Sequence, residues 1–249
     1  MLLRRVLATW RSPSRRPSRR WRPACALAAF AVLALAGYGI YVAAAEDQQG
    51  VAVAGQPAAA IVLRELTSRV DDPRPLTATE VFPGPVVVAG PDGNTYRVLR
   101  VQALDRCAVA AEGGVVVLLE AAGCSQVVRA TLRSPDGFYV VTAGLFNLAD
   151  TAGAQAVHGG IRSVLDAGTG RLRGLPAGAG STALARDTTQ LGWHVRGHFV
   201  AYAVIARSDG GKIYAEDPDA RQILSDLIEG YLHTRVLDRR AAGCLGGPC

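Results

Sequence analysis

The longest uninterrupted apolar run in the chain lies near its start. Residues 24–45 carry no charged side chain and are rich in Ala, Leu and Val. At 1.5 Å per residue, a helix of this length crosses a hydrocarbon core of about 30 Å, so the run predicts a transmembrane helix. The small residues at 43–45 resemble a signal-peptidase site. A cleaved signal has an apolar region of only about 7 to 15 residues, however, and this favours a retained anchor over cleavage after Ala45.

Beyond residue 76 the chain shows short β-type runs on either side of Asp-Gly turns. Such turns lie at 91–93, 135–137 and 208–211. Asp-Gly between two apolar or alternating runs is typical of β-hairpins. We therefore predict three hairpins that form one antiparallel sheet. Their strands are 86–89 with 95–101, 127–133 with 138–146, and 194–207 with 212–215.

Alternation in the second hairpin predicts how each of its strands is covered. In 127–133, apolar residues alternate with Arg129, Thr131 and Arg133, which is typical of a strand with one solvated face. In 138–146 neither face is polar. We expect that strand to be covered on both faces, in the middle of the sheet.

Helical spacing of apolar residues predicts the elements that cover this sheet. The clearest helix follows Asp217, a capping residue, and Pro218, which suits the first helical position. Its apolar stripe contains residues 223, 224, 227, 228 and 231, and its polar face contains 222, 226, 229 and 233. Further helices are predicted at 58–70 and 149–165. The run 115–119 suits a buried strand or a helix, and Gly123 after it favours the helix.

These patterns predict an α+β protein with one folded domain behind a membrane anchor. A glycine-rich stretch at 168–192 predicts a long irregular loop, of a kind that is often functional or mobile, with a short strand at 171–175. The length after the span suits a single core. The predicted order is a disordered basic tail at 1–23, the transmembrane helix at 24–45, a stalk at 46–75, an extracytoplasmic domain at 76–240, and a flexible cysteine-containing tail at 241–249.

Charge is distributed very unevenly along the chain. Eight arginines and no acid precede the apolar run, and with these set aside 19 basic and 21 acidic groups remain, a balance of −2. The positive-inside rule therefore places the N-terminus in the cytoplasm and the domain outside. The basic pI belongs to the tail, which argues against a nucleic-acid partner. We expect the tail to contact the anionic inner leaflet through Arg15, Arg16, Arg19, Arg20 and Arg22.

Four cysteines follow the span, an even number in a compartment that oxidises thiols. Cys107 and Cys124 enclose 16 residues, and we predict that they form a disulfide. A zinc site is a weaker interpretation of these cysteines, because no Cys-x-x-Cys occurs and no histidine lies at ligand spacing. Cys244 and Cys249 can close on each other or pair between chains.

The best candidate for binding chemistry is a short polar pattern around residue 196. His194, Arg196 and His198 share one face of a predicted strand, where they can converge on an anion or, without the arginine, on a metal ion. The simpler interpretation is the solvated face of an amphipathic strand, because no third metal ligand is evident. The chain carries no nucleophile elbow, dinucleotide fingerprint or phosphate-cradling loop. We therefore expect no resident cofactor or metal and no enzymatic activity.

Two segments carry a family-level resemblance. They are Gly-Cys-Ser-Gln-Val-Val-Arg-Ala at 123–130 and Asp-Gly-Phe-Tyr-Val-Val-Thr-Ala-Gly-Leu at 136–145. With the arginine-rich tail and the single span, they resemble uncharacterised single-pass membrane proteins of high-GC Gram-positive bacteria, a similarity that implies no activity. The arrangement is also similar to outer sensor domains of bacterial envelope kinases, although no kinase motif is present.

The sequence thus predicts an interaction or sensor-like module anchored in the cell membrane. Its partner would be a protein of the envelope or of a membrane complex. The alternative is an envelope enzyme or small-ligand-binding protein with a pocket near His194, Arg196 and His198, together with the loop at 168–192. A concave pocket at that strand face would favour the alternative, and an exposed face would favour the interaction module.

Overall fold

The computed structural model describes residues 65–186 and 189–243. The chain divides into two units, residues 1–60 and 61–249, and all described residues belong to the second. The predicted basic tail, the predicted span at 24–45 and the Cys244/Cys249 pair lie outside the described residues. Within the described ranges, no helix combines the length and the apolar character that a membrane crossing needs.

Six antiparallel strands form the main sheet of an α+β fold. In chain order they are β1 (Val86–Ala89), β2 (Asn94–Leu104), β4 (Gln126–Arg133), β5 (Tyr139–Asn147), β7 (Gln190–Arg196) and β8 (Phe199–Arg207). Their order across the sheet is β1-β2-β4-β5-β8-β7. Two three-residue strands, β3 (Ala111–Gly113) and β6 (Gly170–Leu172), pair separately. β1 and β7 are thus the edges, and β4 and β5 occupy the middle.

Helices and loops cover both faces of this sheet. One face carries a short helix, α1 (Ala78–Val81), and a C-terminal helix built from α4 (Pro218–Ser225), a π-helix (Asp226–Leu237) and α5 (Asp238–Ala241). The other face carries α2 (Gly114–Ala121), α3 (Thr151–Asp166) and two 3-10 turns (Cys107–Ala110 and Ala179–Ala185). Alternate strand residues point into each layer, so the domain contains two hydrophobic clusters, one on each side of the sheet.

The first two predicted hairpins are confirmed. The prediction of the third hairpin is wrong. The run predicted as one strand at 194–207 folds back at Gly197, so that β7 pairs with β8 across a two-residue loop. Gly197 has a φ of +58°, a conformation open to glycine, which common two-residue hairpins place at the first loop position. Residues 212–215 form no strand.

The prediction that one face of β4 is solvated is also wrong, because the loop after β6 covers that face. Arg129 is only 4% exposed and Thr131 is fully buried. The hydroxyl of Thr131 donates to the carbonyl of Leu175 at 2.5 Å, and the amide of Leu175 donates to Thr142 at 2.8 Å. The loop after β6 therefore seals the middle of the sheet. The neighbouring β5 is buried along its whole length, as predicted, although Phe138 before it is exposed.

The predicted stalk gives way to the domain earlier than residue 76. Leu66 is buried, its carbonyl accepts from the amide of His198 at 2.7 Å, and Ser68 pairs with Asp150 in an isolated β-bridge. The helix predicted at 58–70 is absent from its described part, residues 65–70. Thr77 begins α1 with a capping box, because its hydroxyl accepts from the amide of Glu80.

The Cys107–Cys124 disulfide is present, with the two Cα atoms 6.2 Å apart. Cys107 begins the 3-10 turn before β3, and Cys124 follows α2 after Ala122 and Gly123. The bond therefore closes the segment that contains α2 and holds this helix beside the start of β4, as predicted. The helices predicted at 115–119 and 149–165 are also confirmed, as α2 and α3.

The C-terminal helix begins as predicted and then changes its repeat. The Asp217 carboxylate accepts from the amide of Ala220, with Pro218 at the helix start. From Asp226 the backbone is a π-helix of 12 residues, in which hydrogen bonds span five residues instead of four. Buried residues then recur as the pairs 227/228, 231/232, 236/237 and 240/241. The longer repeat brings Arg240 inward, a position that an α-helical pattern does not predict.

Candidate functional site

The three residues predicted to share a ligand face do lie on one side of the sheet, but they do not converge. His194 and Arg196 are on the edge strand β7, and His198 is in the turn that follows. Their side chains meet the C-terminal helix side, whereas Leu191, Trp193 and Val195 pack into the opposite cluster. His194 and Arg196 find different partners along that helix and remain partly exposed, whereas His198 is buried beside Asp72 and Phe199.

His194 lies beside two residues of the π-helix. Its Nδ1 atom is 3.0 Å from Oε1 of Glu229, and the Nδ1 atom of His233 is 3.2 Å from Oε2 of the same carboxylate. The two imidazole rings are stacked, with centroids 5.1 Å apart. We refer to His194, Glu229 and His233 as the histidine–glutamate cluster. The three side chains are 41%, 47% and 26% exposed, so the cluster is open to solvent.

Arg196 continues this row of charged groups along the helix. Its Nε atom donates to Oδ1 of Asp238 at 3.1 Å. The same Asp238 oxygen is 3.9 Å from Nε2 of His233, which is too long for a hydrogen bond but close enough for its charge to act on the ring. The guanidinium is thus matched to an acid on the helix, and the acid in turn faces the histidine–glutamate cluster.

His198 belongs to a separate, buried group of charges. Its ring is fully buried beside Phe199, with the ring centroids 4.0 Å apart, and its Nε2 atom is 3.7 Å from Asp72. Among the described residues neither ring nitrogen has a hydrogen-bond partner. Burial lowers the pKa of His198 to about 4, although the Asp72 carboxylate acts in the opposite direction. The buried ring is therefore neutral at neutral pH and offers no positive charge to an anion.

The centre of this buried group is Arg240 in α5. Its guanidinium donates to both carboxylate oxygens of Asp72, to the carbonyl of Arg74, and to Oε1 of Glu80 at 2.5 Å. Arg240 is fully buried and Asp72 is 1% exposed. Burial would lower the pKa of Arg240, but the hydrogen bonds to Asp72 and Glu80 outweigh it and raise the pKa. This network fastens the segment before β1 to the last helix.

Asp226, predicted on the solvated face of the helix, is buried as well. Its carboxylate accepts hydrogen bonds from Asn94, from the hydroxyl of Tyr96 at 2.7 Å, and from Gln222. Burial and the hydrogen bond to Asp226 raise the pKa of the Tyr96 hydroxyl. Gly90 permits the close approach, since a Cβ atom there would lie 2.1 Å from Asp226 Oδ1. These contacts join the helix to the first hairpin and are structural.

A cavity of about 630 Å³ lies on the opposite side of the sheet. The long irregular loop predicted at 168–192 supplies most of its lining, and Leu191 marks the side of β7 that faces away from His194. Arg171, Arg173 and Glu112 stand at its wall, and both arginines pair with this glutamate. The cavity therefore does not connect to the predicted ligand face.

Glu229 and His233 were not predicted as neighbours of His194. They lie more than thirty residues away along the chain, and an α-helical pattern assigns them only to a solvated face. Comparison of the chain with protein-family models, curated proteins and solved structures finds no match.

Proposed function

We propose that the chain is a single-pass membrane protein whose outer domain is an interaction or sensor-like module of the bacterial cell envelope, without catalytic activity. The uncharged run at 24–45 and the eight arginines before it support a span with a cytoplasmic N-terminus. The expected partners are the anionic inner leaflet, for the tail, and an envelope or membrane-complex protein, for the domain.

The disulfide supports the location of the domain. Cys107 is 5% exposed, and its bond to Cys124 lies against the cluster that contains α2 and α3. Disulfides persist in oxidising compartments and are rare in the cytosol. A domain outside the membrane accounts for this bond without any catalytic or regulatory role for the cysteines.

The interaction function depends on one observation, the exposed character of the predicted ligand face. His194 and Arg196 stand on an edge strand with side chains 41% and 43% exposed, and acids of the C-terminal helix match them. The cavity is on the other side of the sheet. A solvent-facing row of polar and charged groups suits the rim of a protein interface, where charge complementarity selects the partner.

Photo-crosslinking in cells tests the interaction surface. A photoreactive amino acid at Arg196 should give a discrete adduct with another envelope protein, because the residue lies on the proposed face. The matched control is Gln155, which is exposed on α3 across the sheet. An adduct that forms equally from both positions, or from neither, would contradict the proposed surface.

Topology is tested separately with a reporter fused after Cys249. We expect a reporter that works only outside the cytoplasm to be active and one that works only inside to be silent. A reporter that is active only in the cytoplasm would contradict the proposed membrane topology. The exposed face of the domain would then need another explanation.

A second candidate function, small-ligand binding, is supported by the cavity. Its volume of about 630 Å³ falls in the range of small-molecule sites, roughly 300 to 1,000 Å³. Arg171, Arg173 and Arg186 outnumber the one acid of its lining, Glu112, which pairs with the first two, and this excess of positive charge favours an anionic ligand over a cationic one. Thermal-shift screening of the full chain with small carboxylates and phosphates tests this function, and loss of any shift in Arg186→Gln would assign it to the cavity.

A further inference from the structure

We infer that the histidine–glutamate cluster is a binding site for a divalent transition-metal ion, with Zn²⁺ as the ion that best fits its donors. His194, Glu229 and His233 each offer one ligand atom, and these atoms all lie within 4.8 Å of one another. Two imidazole nitrogens and one carboxylate oxygen are the donor types of many zinc sites with three protein ligands. The inference is independent of the proposed membrane anchoring.

The spacing of the donor atoms suits such an ion. Zn²⁺ binds histidine nitrogen at about 2.0 to 2.1 Å, so two ligand atoms in a tetrahedral site lie roughly 3.4 Å apart. The two Nδ1 atoms are 3.0 and 3.2 Å from the oxygens of Glu229. These distances run to different oxygens of the carboxylate, and the three donor atoms are spaced by up to 4.8 Å, so side-chain movements on the order of 1 Å would bring all three around one ion. A cation there would also compensate the Glu229 carboxylate that both rings face.

Two independently anchored elements hold the donors. β7 carries His194 and is paired along its whole length with the buried strand β8. The π-helix carries Glu229 and His233, and its Leu227 and Leu232 are fully buried. Ligands on packed elements are positioned before the ion arrives, which lowers the cost of binding. π-Helical turns are also frequent at functional sites.

Asp238 and Arg196 extend the site outward from the proposed ligands. Metal-binding histidines commonly direct their second ring nitrogen at a carboxylate, which fixes the tautomer that leaves the first nitrogen free to bind. Nε2 of His233 faces Asp238 at 3.9 Å, a distance that must shorten before the hydrogen bond forms, and Nε of Arg196 donates to Asp238 at 3.1 Å. Arg196 would thus be a positioning residue for the site and not a ligand.

Three protein ligands leave a fourth coordination position open. The partial exposure of the three side chains places that position toward solvent. A water molecule can fill it, or a side chain from a bound protein can. The site therefore suits an ion held at the surface of the domain, where it can be sensed or shared with a partner.

Metal titration of the full chain tests this site. The protein is purified in detergent, stripped with a chelator, and titrated with Zn²⁺ against a chromogenic competitor. Cys25, Cys244 and Cys249 are replaced by serine in all samples, because thiols outside the site also bind Zn²⁺. We expect one ion per chain with a dissociation constant in the micromolar range or tighter.

Variants assign the ion to the cluster. Glu229→Gln and His233→Gln should each weaken binding roughly tenfold or more, a loss at least as large as that from outer-shell changes at metal sites. The matched control is His158→Gln, which alters an exposed histidine on α3 across the sheet and should leave affinity unchanged. Equal affinity in the His158 and His233 variants, or no binding by the parent protein, would overturn the inference.

Cobalt substitution gives a readout that does not depend on the variants folding. Co²⁺ in the parent protein should give visible absorption bands of a tetrahedral or five-coordinate ion with nitrogen and oxygen ligands. A thiolate charge-transfer band, or the spectrum of hydrated Co²⁺, would refute the cluster as the site. Failure of this experiment would leave the topology and crosslinking tests unaffected, since neither requires a metal.

Discussion

Replacement of Arg240 by methionine should destabilise the domain more than any other single charge removal that the structure suggests. Arg240 is fully buried, and its guanidinium donates to Asp72, Glu80 and a backbone carbonyl. Methionine fills much of the same volume but leaves the two carboxylates with no cation. Breaking a buried ion pair from one side costs about 3 to 5 kcal/mol. For a domain of this size that corresponds to a fall in Tm of roughly 6 to 20 °C.

Thermal and urea unfolding of the full chain, followed by circular dichroism, measure this loss. The matched control is Arg235→Met, because Arg235 is an exposed arginine of the same helix and its removal should change stability by no more than about 0.5 kcal/mol. Arg196→Met is a second comparison. Its pair with Asp238 is more than two-fifths exposed, so solvent screening limits its worth to about 1 kcal/mol or less.

A triple variant separates the charge effect from lost packing. With Asp72→Asn and Glu80→Gln added to Arg240→Met, no buried charge remains uncompensated, and most of the lost stability should return. A single variant that loses less than about 1 kcal/mol would refute the reasoning, because that is the value of an exposed pair. A triple variant no more stable than the single one would show that the arginine acts through shape and not through charge.

Other changes test the remaining contacts. Leu227→Ala should lower the free energy of unfolding by about 2 to 5 kcal/mol, because Leu227 is fully buried. Glu229→Ala, measured with a chelator present, should be near neutral. Equal effects of the two changes would mean that the buried face of the helix is misassigned. Serine at both Cys107 and Cys124 should cost about 3 kcal/mol in urea unfolding, and an unchanged midpoint would argue against the bond in the native protein. The lowered pKa of His198, about 4 in the fold, predicts full stability above pH 6.5 and a progressive loss of about 3 kcal/mol down to pH 4. His198→Gln should remove that component of the pH dependence, and an identical profile would contradict the buried neutral ring.

Structural features that depend on a few neighbouring residues could be predicted from the sequence. The Asp-Gly turns mark two of the three hairpins. Each turn needs a residue with positive φ, which glycine supplies, and the two strands flank it directly, so the whole signal lies within a few residues. The start of the C-terminal helix follows equally from Asp217 and Pro218. The Cys107–Cys124 bond followed from the predicted extracytoplasmic location and from the spacing, since no competing partner lies nearby in the sequence.

Features that depend on distant packing were not predictable in the same way. Arg129 and Thr131 alternate with apolar residues as in a half-solvated strand, yet the carbonyls of Arg173 and Leu175 bind them from above. Nothing near β4 indicates this cover. The fold at Gly197 was missed for a related reason: Gly-His interrupts a continuous β-type run without the Asp-Gly signal that marks the other turns.

Of the candidate site, the sequence indicated His194 but not its neighbours Glu229 and His233, because residues more than thirty positions apart meet only once the strand and the helix have packed. The buried Arg240 was missed for another reason, the change of repeat in the C-terminal helix. An α-helix that continued from Leu227 would turn Thr234 and Asp238 toward the core and Val236 away from it, because 3.6 residues complete each turn. The sequence instead places apolar pairs at 227/228, 231/232 and 236/237, a repeat that the longer π turn accommodates. The change of period therefore brings Arg240 to Asp72 in the interior. Glu229 and His233 stay on the exposed side, where an α-helical pattern also places them, and His194 meets them there because β7 packs beside the helix. The spacing of the apolar pairs is thus the signal in the sequence from which the buried position of Arg240 could have been predicted.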